Sequence, residues 1–183
     1  MNRVFILENE SSLKNLPSTG TTLSSGYDVI ATSEPNIVGK LCEGTTDLWE
    51  SISYIEYKTG IHISPQSTDL DSLIFPRSSI SKYNLVLANS IGLVDTDYRN
   101  EILVRFKYIC QPVDFVMTNR GTDSPNFASR INFDKIYKIG DKICQLKFSK
   151  VERVEFTFVS SLDKTERTGG FGSTDAHLKK FLY

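Results

Sequence analysis

Apolar and polar residues alternate along much of this 183-residue chain, and this period of two is the strongest constraint on its fold. In Ile102–Tyr108, four apolar side chains would share one face and two basic side chains would take the other. Val154–Val159 shows the same pattern, and two short apolar segments, Leu85–Leu87 and Gly92–Val94, flank an Asn-Ser pair. Such patterns are typical of strands, and the last one predicts a hairpin.

Helical periodicity is weak, and the best candidate for a helix is the short segment Ser78–Asn84. Leu41–Ser53 has a mixed composition without regular alternation and is interpreted as a loop or insertion. Many short strands separated by turn signals predict an all-β sandwich or barrel with one short helix.

The second half of the chain contains two further departures from alternation. Met117–Ser129 is polar, contains Gly and Pro, and predicts an exposed loop within a long connection from 110 to 136. The C-terminal segment is rich in glycine, which predicts conditional order. We therefore expect a β-barrel domain over 1–164 and a flexible arm over 165–183.

Composition excludes several classes of protein. A net charge of −1 gives no basic excess for binding nucleic acid. Three cysteines at wide spacing predict neither a zinc site nor a disulfide framework, and free thiols favour an intracellular location, in the cytoplasm or the nucleus. The N-terminus lacks a signal-peptide pattern, and no stretch reaches the roughly 18 apolar residues of a membrane span. We therefore expect neither a nucleic-acid partner nor membrane contact.

Arg77, Ser78 and Ser79 precede the predicted helix and form the first candidate site. Backbone N–H groups at a helix start, a hydroxyl group and a guanidinium can together bind an anion. The alternative is a helix capped by serine beside a solvated arginine, which is a common arrangement.

Two carboxylates, Asp95 and Asp97, stand two positions apart in Gly92–Arg99. One of them could act as a general base for water, although aspartate is also common at the polar ends of hairpins. In Gly140–Leu146, a Gly-Asp turn leads into a predicted strand that carries Gln145, which would also fit an ordinary surface position.

Arg167–Thr174 combines glycines, two hydroxyl residues, one arginine and Phe171. An aromatic ring on a flexible arm can stack on a planar base, and the polar groups can contact an anion. The alternative is a disordered glycine-rich tail. The two histidines of the chain are too few and too far apart for a metal cluster or a catalytic triad.

Five short segments, taken together and in order, resemble the five motifs of the trimeric deoxyuridine triphosphatase (dUTPase) family. Asn100 and Asp175 stand where that family usually has glycine, the fifth motif is one residue short, and the connection before the fourth motif is longer. None of these departures removes a functional side chain. The segments are Ser25–Val29 (SGYDV), Pro76–Ile80 (PRSSI), Asn89–Ile102 (NSIGLVDTDYRNEI), Gly140–Leu146 (GDKICQL) and Arg167–Thr174 (RTGGFGST).

The resemblance implies a jelly-roll barrel assembled as a homotrimer, with active sites shared between subunits, that hydrolyses dUTP to dUMP and pyrophosphate. Asp95 would activate the attacking water, and Asp28 and Asp97 would support the site. Mg²⁺ would be held mainly by substrate phosphates and water, without direct protein ligands. The implied substrate-binding residues are Arg77, Ser78, Ser79, Asn89, Gly92, Tyr98, Gln145, Arg167, Phe171, Gly172, Ser173 and Thr174.

Two alternatives remain open at this level. The first is a dCTP deaminase, which shares the Arg-Ser-Ser motif and the barrel. The DTDYRN segment and the C-terminal arm do not resemble that enzyme. A regulatory protein derived from a dUTPase is the second alternative, in which the 110–136 connection would contact a protein partner.

Overall fold

A computed structural model of the chain describes residues 3–118 and 126–166. The secondary structure in these ranges consists mainly of strands, and the predicted all-β class is confirmed. The strands are β1 (Val4–Ile6), β2 (Tyr27–Ile30), β3 (Asn36–Leu41), β4 (Leu48–Tyr57), β5 (Ile63–Pro65), β6 (Leu70–Pro76), β7 (Leu85–Leu87), β8 (Gly92–Val94), β9 (Val104–Tyr108), β10 (Phe115–Thr118), β11 (Asn126–Arg130) and β12 (Lys142–Lys150). The helical segments are the α-helix α1 (Glu10–Lys14) and the 3-10 helices Ser78–Lys82, Pro112–Asp114 and Phe133–Lys135.

Two large antiparallel sheets enclose one hydrophobic core, and β1 and β5 form a third, two-stranded sheet. The larger sheet has the order β10-β11-β4-β9-β7, with β3 also paired to β4, and the smaller has the order β2-β12-β6-β8. Buried residues from both sheets, including Phe106 on β9 and Ile74 on β6, belong to the same core cluster. Tyr57, Phe106 and Tyr137 pack at its centre with ring centroids 5.4 to 6.3 Å apart. The alternation of β9 is confirmed, because its apolar residues point into this core.

The predicted hairpin between β7 and β8 is wrong. β7 pairs with β9 in the larger sheet, whereas β8 pairs with β6 in the smaller sheet. The intervening turn contains Ser90 at a φ of 61°, and its N–H donates to the carbonyl of Leu87 at 3.0 Å. The chain therefore crosses from one sheet to the other at Asn89-Ser90-Ile91 instead of folding back on itself.

The predicted strand Val154–Val159 is also wrong. No strand forms in the described part of the chain after β12, and Phe156 and Phe158 are 92% and 104% exposed. These residues belong to a second unit, Arg153–Tyr183, whereas the sheets lie in the unit Met1–Glu152. The division at 164/165 expected from the glycine content remains a prediction.

Both predicted loops contain strand residues. The second half of Leu41–Ser53 is the start of β4, and its alternation is hidden by bulges in the β3–β4 pairing, one of them at Gly39. A side chain on Gly39 would collide with the carbonyl oxygen of Ser51. All described residues of Met117–Ser129 lie in β10 or β11, which pair with each other, and β11 joins β4.

The predicted helix Ser78–Asn84 is a shorter 3-10 helix, Ser78–Lys82, because Tyr83 returns to an extended conformation. The α-helix α1 was not expected from the sequence. Its N-cap residue Asn9 forms a capping box with Ser12, in which each side chain accepts a backbone N–H of the other. In the ranges that the structure covers, no helix is long and apolar enough to cross a membrane.

Candidate active site

The buried carboxylate of Asp28 organises a polar cluster where β2, β6 and β12 meet. Its side chain is 7% exposed and accepts hydrogen bonds from Arg77 Nε at 3.0 Å, Gln145 Nε2 at 3.1 Å and Lys142 Nζ at 3.0 Å. Asp28 and Gln145 are direct partners in the β2–β12 register. The antiparallel pairing thus brings together residues of three sequence motifs.

The electrostatics of this cluster favour an anion. Burial raises the pKa of the Asp28 carboxyl. The hydrogen bonds from Lys142 and Gln145 and the charges of Arg77 and Lys142 outweigh this effect, so the pKa lies below its ordinary value. The carboxylate therefore stays ionised. Two cations share this single carboxylate, so the cluster carries excess positive charge close to the hydroxyl group of Ser79.

Arg77 is held in place by contacts with several elements. Its Nη1 lies 3.3 Å from Ser79 Oγ and 3.3 Å from the carbonyl oxygen of Lys142. Ser78 is exposed at the first position of the 3-10 helix. Because the guanidinium is fixed before any ligand arrives, little side-chain entropy remains to be lost on binding an anion.

A second candidate region is a cavity of about 740 Å³ beside the crossing between the sheets. This volume lies in the usual range for small-molecule sites, about 300 to 1,000 Å³. Its walls come from both sheets and include seven residues of the third motif, among them the four predicted site residues Asn89, Gly92, Asp95 and Tyr98. The structure thus brings these four predicted site residues together.

Gly92 allows a close approach inside this cavity. A Cβ atom at this position would lie 3.0 Å from Ile74 Cβ and 3.2 Å from Asn89 Nδ2. Contacts this short would force the Asn89 amide or β6 to shift. The glycine therefore fits a role in shaping the space beside Asn89, independently of any φ requirement.

The two aspartates of the third motif occupy different environments. Both are exposed, but Asp95 lies directly after β8 and lines the cavity, whereas Asp97 lies outside the cavity lining. The Asp95 carbonyl accepts the N–H of Tyr98 at 3.0 Å, which closes the turn between them. Among the residues that the structure covers, none donates a hydrogen bond to the Asp95 carboxylate, so it is available to water or ligand.

The two regions remain separate within one chain. Asp28, Arg77 and Gln145 form the first, and the third-motif residues form the second, with no hydrogen bond between the two groups in the described ranges. The predicted arm residues Arg167, Phe171, Gly172, Ser173 and Thr174 lie outside the described residues.

Sequence reasoning missed four residues in these regions. Lys142 lies within the fourth motif but was not among the predicted site residues. Tyr54, Arg105 and Lys107 line the cavity. Arg105 lies over the Tyr54 ring at 4.4 Å, and Lys107 Nζ donates to Ser53 at 2.7 Å. Alternation placed the two basic side chains on one face of β9 but could not show that a cavity adjoins that face.

The donor set also bears on metal binding. In residues 3–118 and 126–166, His, Cys, Asp and Glu form no group of three or more that could hold a metal ion. The Asp28 carboxylate is already occupied by three donors. A cation held mainly through a ligand's phosphates and water, as is usual for Mg²⁺, would need no such group.

Fold and site together define an all-β protein with a cation cluster and a separate cavity in the size range of small-molecule sites. A scan against models of protein families found no match. Curated relatives include deoxyuridine 5'-triphosphate nucleotidohydrolases of Rickettsia prowazekii, 36% identical over 93% of this chain and 95% of the relative, and Finegoldia magna, 35% identical over 87% of this chain and 90% of the relative. The chain belongs to this family, the dUTPases.

Solved structures support the same fold at lower identity. A mutant dUTPase of Staphylococcus bacteriophage 80alpha with dUpNHpp has a TM-score of 0.61 and 18% identity, covering 95% of this chain and 99% of that chain. A mutant dUTPase from phage phi11 of S. aureus, described with a structural Mg(II) ion, has a TM-score of 0.58 and 18% identity, covering 89% and 100%. These likenesses establish the jelly-roll type of fold.

Proposed function

We propose that this chain hydrolyses dUTP to dUMP and pyrophosphate, which limits uracil incorporation into DNA and supplies dUMP for dTTP synthesis. The observation that carries the proposal is the cavity beside the sheet crossing, where the available carboxylate of Asp95 lies with Asn89 and Tyr98. Membership of the dUTPase family supports the choice of substrate.

The cavity would bind the nucleoside. The Asn89 amide offers one acceptor and two donors, which suit the mixed hydrogen-bonding edge of uracil. The Tyr98 ring would pack against the deoxyribose and leave no space for a 2′-hydroxyl group. Gly92 lies so close to β6 that the space beside it is narrow. This space would disfavour bases larger than uracil.

Asp95 would orient a water molecule toward the α-phosphorus and accept its proton. The water oxygen forms a bond to the α-phosphorus, and the bond between that phosphorus and the bridging oxygen to the β-phosphate breaks. Pyrophosphate leaves with the bonding electrons, and dUMP remains. Asp is a weak base, so correct placement of the water supplies much of the acceleration. Asp97, exposed and outside the cavity, would act only as a supporting charge.

The Asp28 cluster would bind the phosphates. Arg77, Ser78, Ser79 and Gln145 would contact phosphate oxygens, and Lys142 adds a second positive charge. A bound Mg²⁺ would neutralise part of the triphosphate charge. The chain's own part is to hold the cationic side chains rigidly where that charge lies.

Complete sites would form in a homotrimer. In residues 3–118 and 126–166, no hydrogen bond joins the nucleoside cavity to the phosphate cluster, which supports sites assembled between neighbouring subunits. Residues 165–183 would close such a site, with Phe171 over the base and Arg167, Gly172, Ser173 and Thr174 at the terminal phosphate. Light scattering of active protein should give three times the mass of one chain, and a monomer mass would contradict this arrangement.

A substrate panel tests the proposal directly. Purified protein with Mg²⁺ is incubated with dUTP, UTP, dTTP or dCTP, and release of pyrophosphate and ammonia is measured. We expect pyrophosphate from dUTP at a rate far above the other three. Ammonia from dCTP would support the deaminase alternative, and equal rates with UTP would remove the assigned role of Tyr98.

A regulatory role is a second candidate, favoured by one observation. The β10–β11 pair exposes Phe115, Met117 and Phe127 on the same face, with Met117 and Phe127 directly opposite each other. Contiguous exposed apolar side chains are often interaction sites. Substitution of all three by serine should leave dUTP hydrolysis intact, and it would abolish co-purification of a protein partner if such a partner binds there.

A further inference from the structure

The turn that carries Tyr98 has no strand partners of its own. Residues 95–103 lie between β8 and β9, and the Tyr98 side chain is 39% exposed. A ring that must exclude a single hydroxyl group has to be fixed to within a fraction of an ångström. The position of Tyr98 therefore depends on contacts that come from outside its own turn.

Glu101 provides one attachment of this turn to the rest of the fold, beside the hydrogen bond from Thr96 Oγ1 to the carbonyl of Leu70 at 3.0 Å and the contact of 3.1 Å between His62 Nδ1 and the carbonyl oxygen of Arg99. Its Oε1 accepts the backbone N–H of Thr59 at 3.1 Å and that of Gly60 at 2.7 Å. The carbonyl oxygen of the same residue accepts the hydroxyl of Tyr98 at 3.1 Å. Glu101 thus connects the Tyr98 ring to a fixed part of the backbone through one residue.

The Thr59-Gly60 segment is rigid enough to serve as an anchor. Thr59 is fully buried, and its Oγ1 donates to the carbonyl of Ile102 at 2.7 Å. Gly60 has a φ of 66°, which favours glycine, and its carbonyl accepts Asn9 Nδ2 at 3.0 Å. The segment is therefore held by the N-cap residue of α1, and through Ile102 it bonds a second residue of the same turn.

We propose that Glu101 is a positioning residue for the deoxyribose specificity of the proposed dUTPase reaction, acting through Tyr98. The proposal rests on the proposed function, because it assigns a sugar-recognising role to Tyr98. Glu101 does not line the cavity and would touch no substrate atom. Its carboxylate fixes the turn, and the turn fixes the distance between the Tyr98 ring and the sugar.

Three variants separate positioning from general stability. Glu101→Ala removes the acceptor oxygen, whereas Glu101→Gln keeps an oxygen at the Oε1 position for both N–H groups. Tyr98→Phe keeps the ring but removes its hydrogen bond to the Glu101 carbonyl. The matched control is Asp114→Ala, because Asp114 also accepts two hydrogen bonds, from Gln111 N and Tyr108 Oη, but lies outside the cavity lining.

The readouts are kcat and KM for dUTP and UTP, and the equilibrium affinities for dUMP and UMP with Mg²⁺. We expect Glu101→Ala to lower the preference for the deoxynucleotide by about tenfold in both assays, and Glu101→Gln to restore it to within about threefold. Tyr98→Phe should give an intermediate loss. Asp114→Ala should lower the melting temperature without changing the preference.

The outcomes distinguish this inference from the proposed function. If wild-type protein hydrolyses dUTP selectively and Glu101→Ala keeps the wild-type preference in both assays, only the positioning role is overturned. The same holds if Asp114→Ala reduces the preference as much as Glu101→Ala. If wild-type protein neither cleaves dUTP nor prefers dUMP to UMP, the proposed function and the inference fall together.

Discussion

The Asp28 cluster and the cavity differ in how many hydrogen bonds their carboxylates accept. In the Asp28 cluster, one carboxylate accepts three hydrogen bonds from Arg77, Gln145 and Lys142. At the cavity, the Asp95 carboxylate receives none from the residues that the structure covers. A saturated group holds its neighbours in place, whereas an unsaturated group can bind a water or a substrate. The comparison indicates that the first region is built to position charge and the second to react.

Removing the Asp95 carboxylate should have the largest effect on the rate of dUTP hydrolysis. We expect Asp95→Asn to lower kcat for dUTP by about a thousandfold or more, because the amide cannot accept a proton, while affinity for a non-hydrolysable dUTP analogue stays within about threefold. Single-turnover kinetics and calorimetry measure the two quantities. Asp97→Asn is the matched control and should cost far less. Comparable losses in the two variants would show that Asp95 has no special role.

Removing the C-terminal arm should have the next largest effect. A chain ending at Glu166 should still fold, because the two sheets and their core lie in Met1–Glu152. Its kcat for dUTP should fall by about a hundredfold, since a closing segment excludes water and completes phosphate contacts. Affinity for dUMP, which lacks the terminal phosphate, should change little. Full activity of the truncated chain would rule out a catalytic arm.

The positioning region should respond mainly through stability. Asp28→Ala leaves two cations without their shared carboxylate and should cost about 3 kcal/mol of unfolding free energy, because breaking a buried ion pair is strongly unfavourable. Chemical denaturation measures this cost. Lys147→Ala, an exposed change on the same strand as Lys142, is the control and should stay within about 0.5 kcal/mol.

The same carboxylate predicts a pH dependence. The pKa of Asp28 is lowered in the folded protein, so its stabilising contribution is fully present above the unfolded value of about 4 and is lost as pH falls through the folded value. Wild-type unfolding free energy should decline across this acidic range, and Asp28→Asn should flatten the decline. An identical slope in both proteins would mean that other carboxylates dominate acid unfolding.

The smallest effect is expected at the long connection. Thr118 and residues 126–129 are strand residues, so a test of dispensability has to spare them and replace only residues 119–125 with a short Gly-Ser turn. Both polar regions are formed by described residues of other segments. Hydrolysis of dUTP should remain within about twofold of wild type, and loss of activity in a variant that folds as well as wild type would place the connection at the site.

Sequence patterns predicted where strands lie better than they predicted which strands pair with each other. The alternation of β9 was sufficient to place Phe106 in the core, because one face of a strand is chosen by its own residues. The sequence did not predict the pairing partners of β7 and β8, because Asn89-Ser90 is compatible with either a hairpin or a crossing between sheets. Val154–Val159 shows a further limit, since alternation marks a face suited to burial without showing that any surface covers it.

The candidate site was predictable where motifs carried it and not elsewhere. The grouping of Asp28, Arg77 and Gln145 follows from strand register, which a single sequence does not specify. Lys142 and Glu101 were missed because their roles depend on backbone and carboxylate groups far away in the chain. Both became visible only when the strands and the Thr59-Gly60 segment were in place.

The cavity between the two sheets also has a thermodynamic consequence. Because Ile74 and Val94 of one sheet and Leu87 and Val104 of the other line the same space, a bound nucleoside would touch both halves of the sandwich. A ligand that binds only the closed pair of sheets stabilises their association in proportion to the logarithm of its concentration over its dissociation constant. A bound nucleotide would therefore stabilise the packing of the two sheets against each other. It should slow amide hydrogen exchange on β6 and β9 together, although the two strands belong to different sheets.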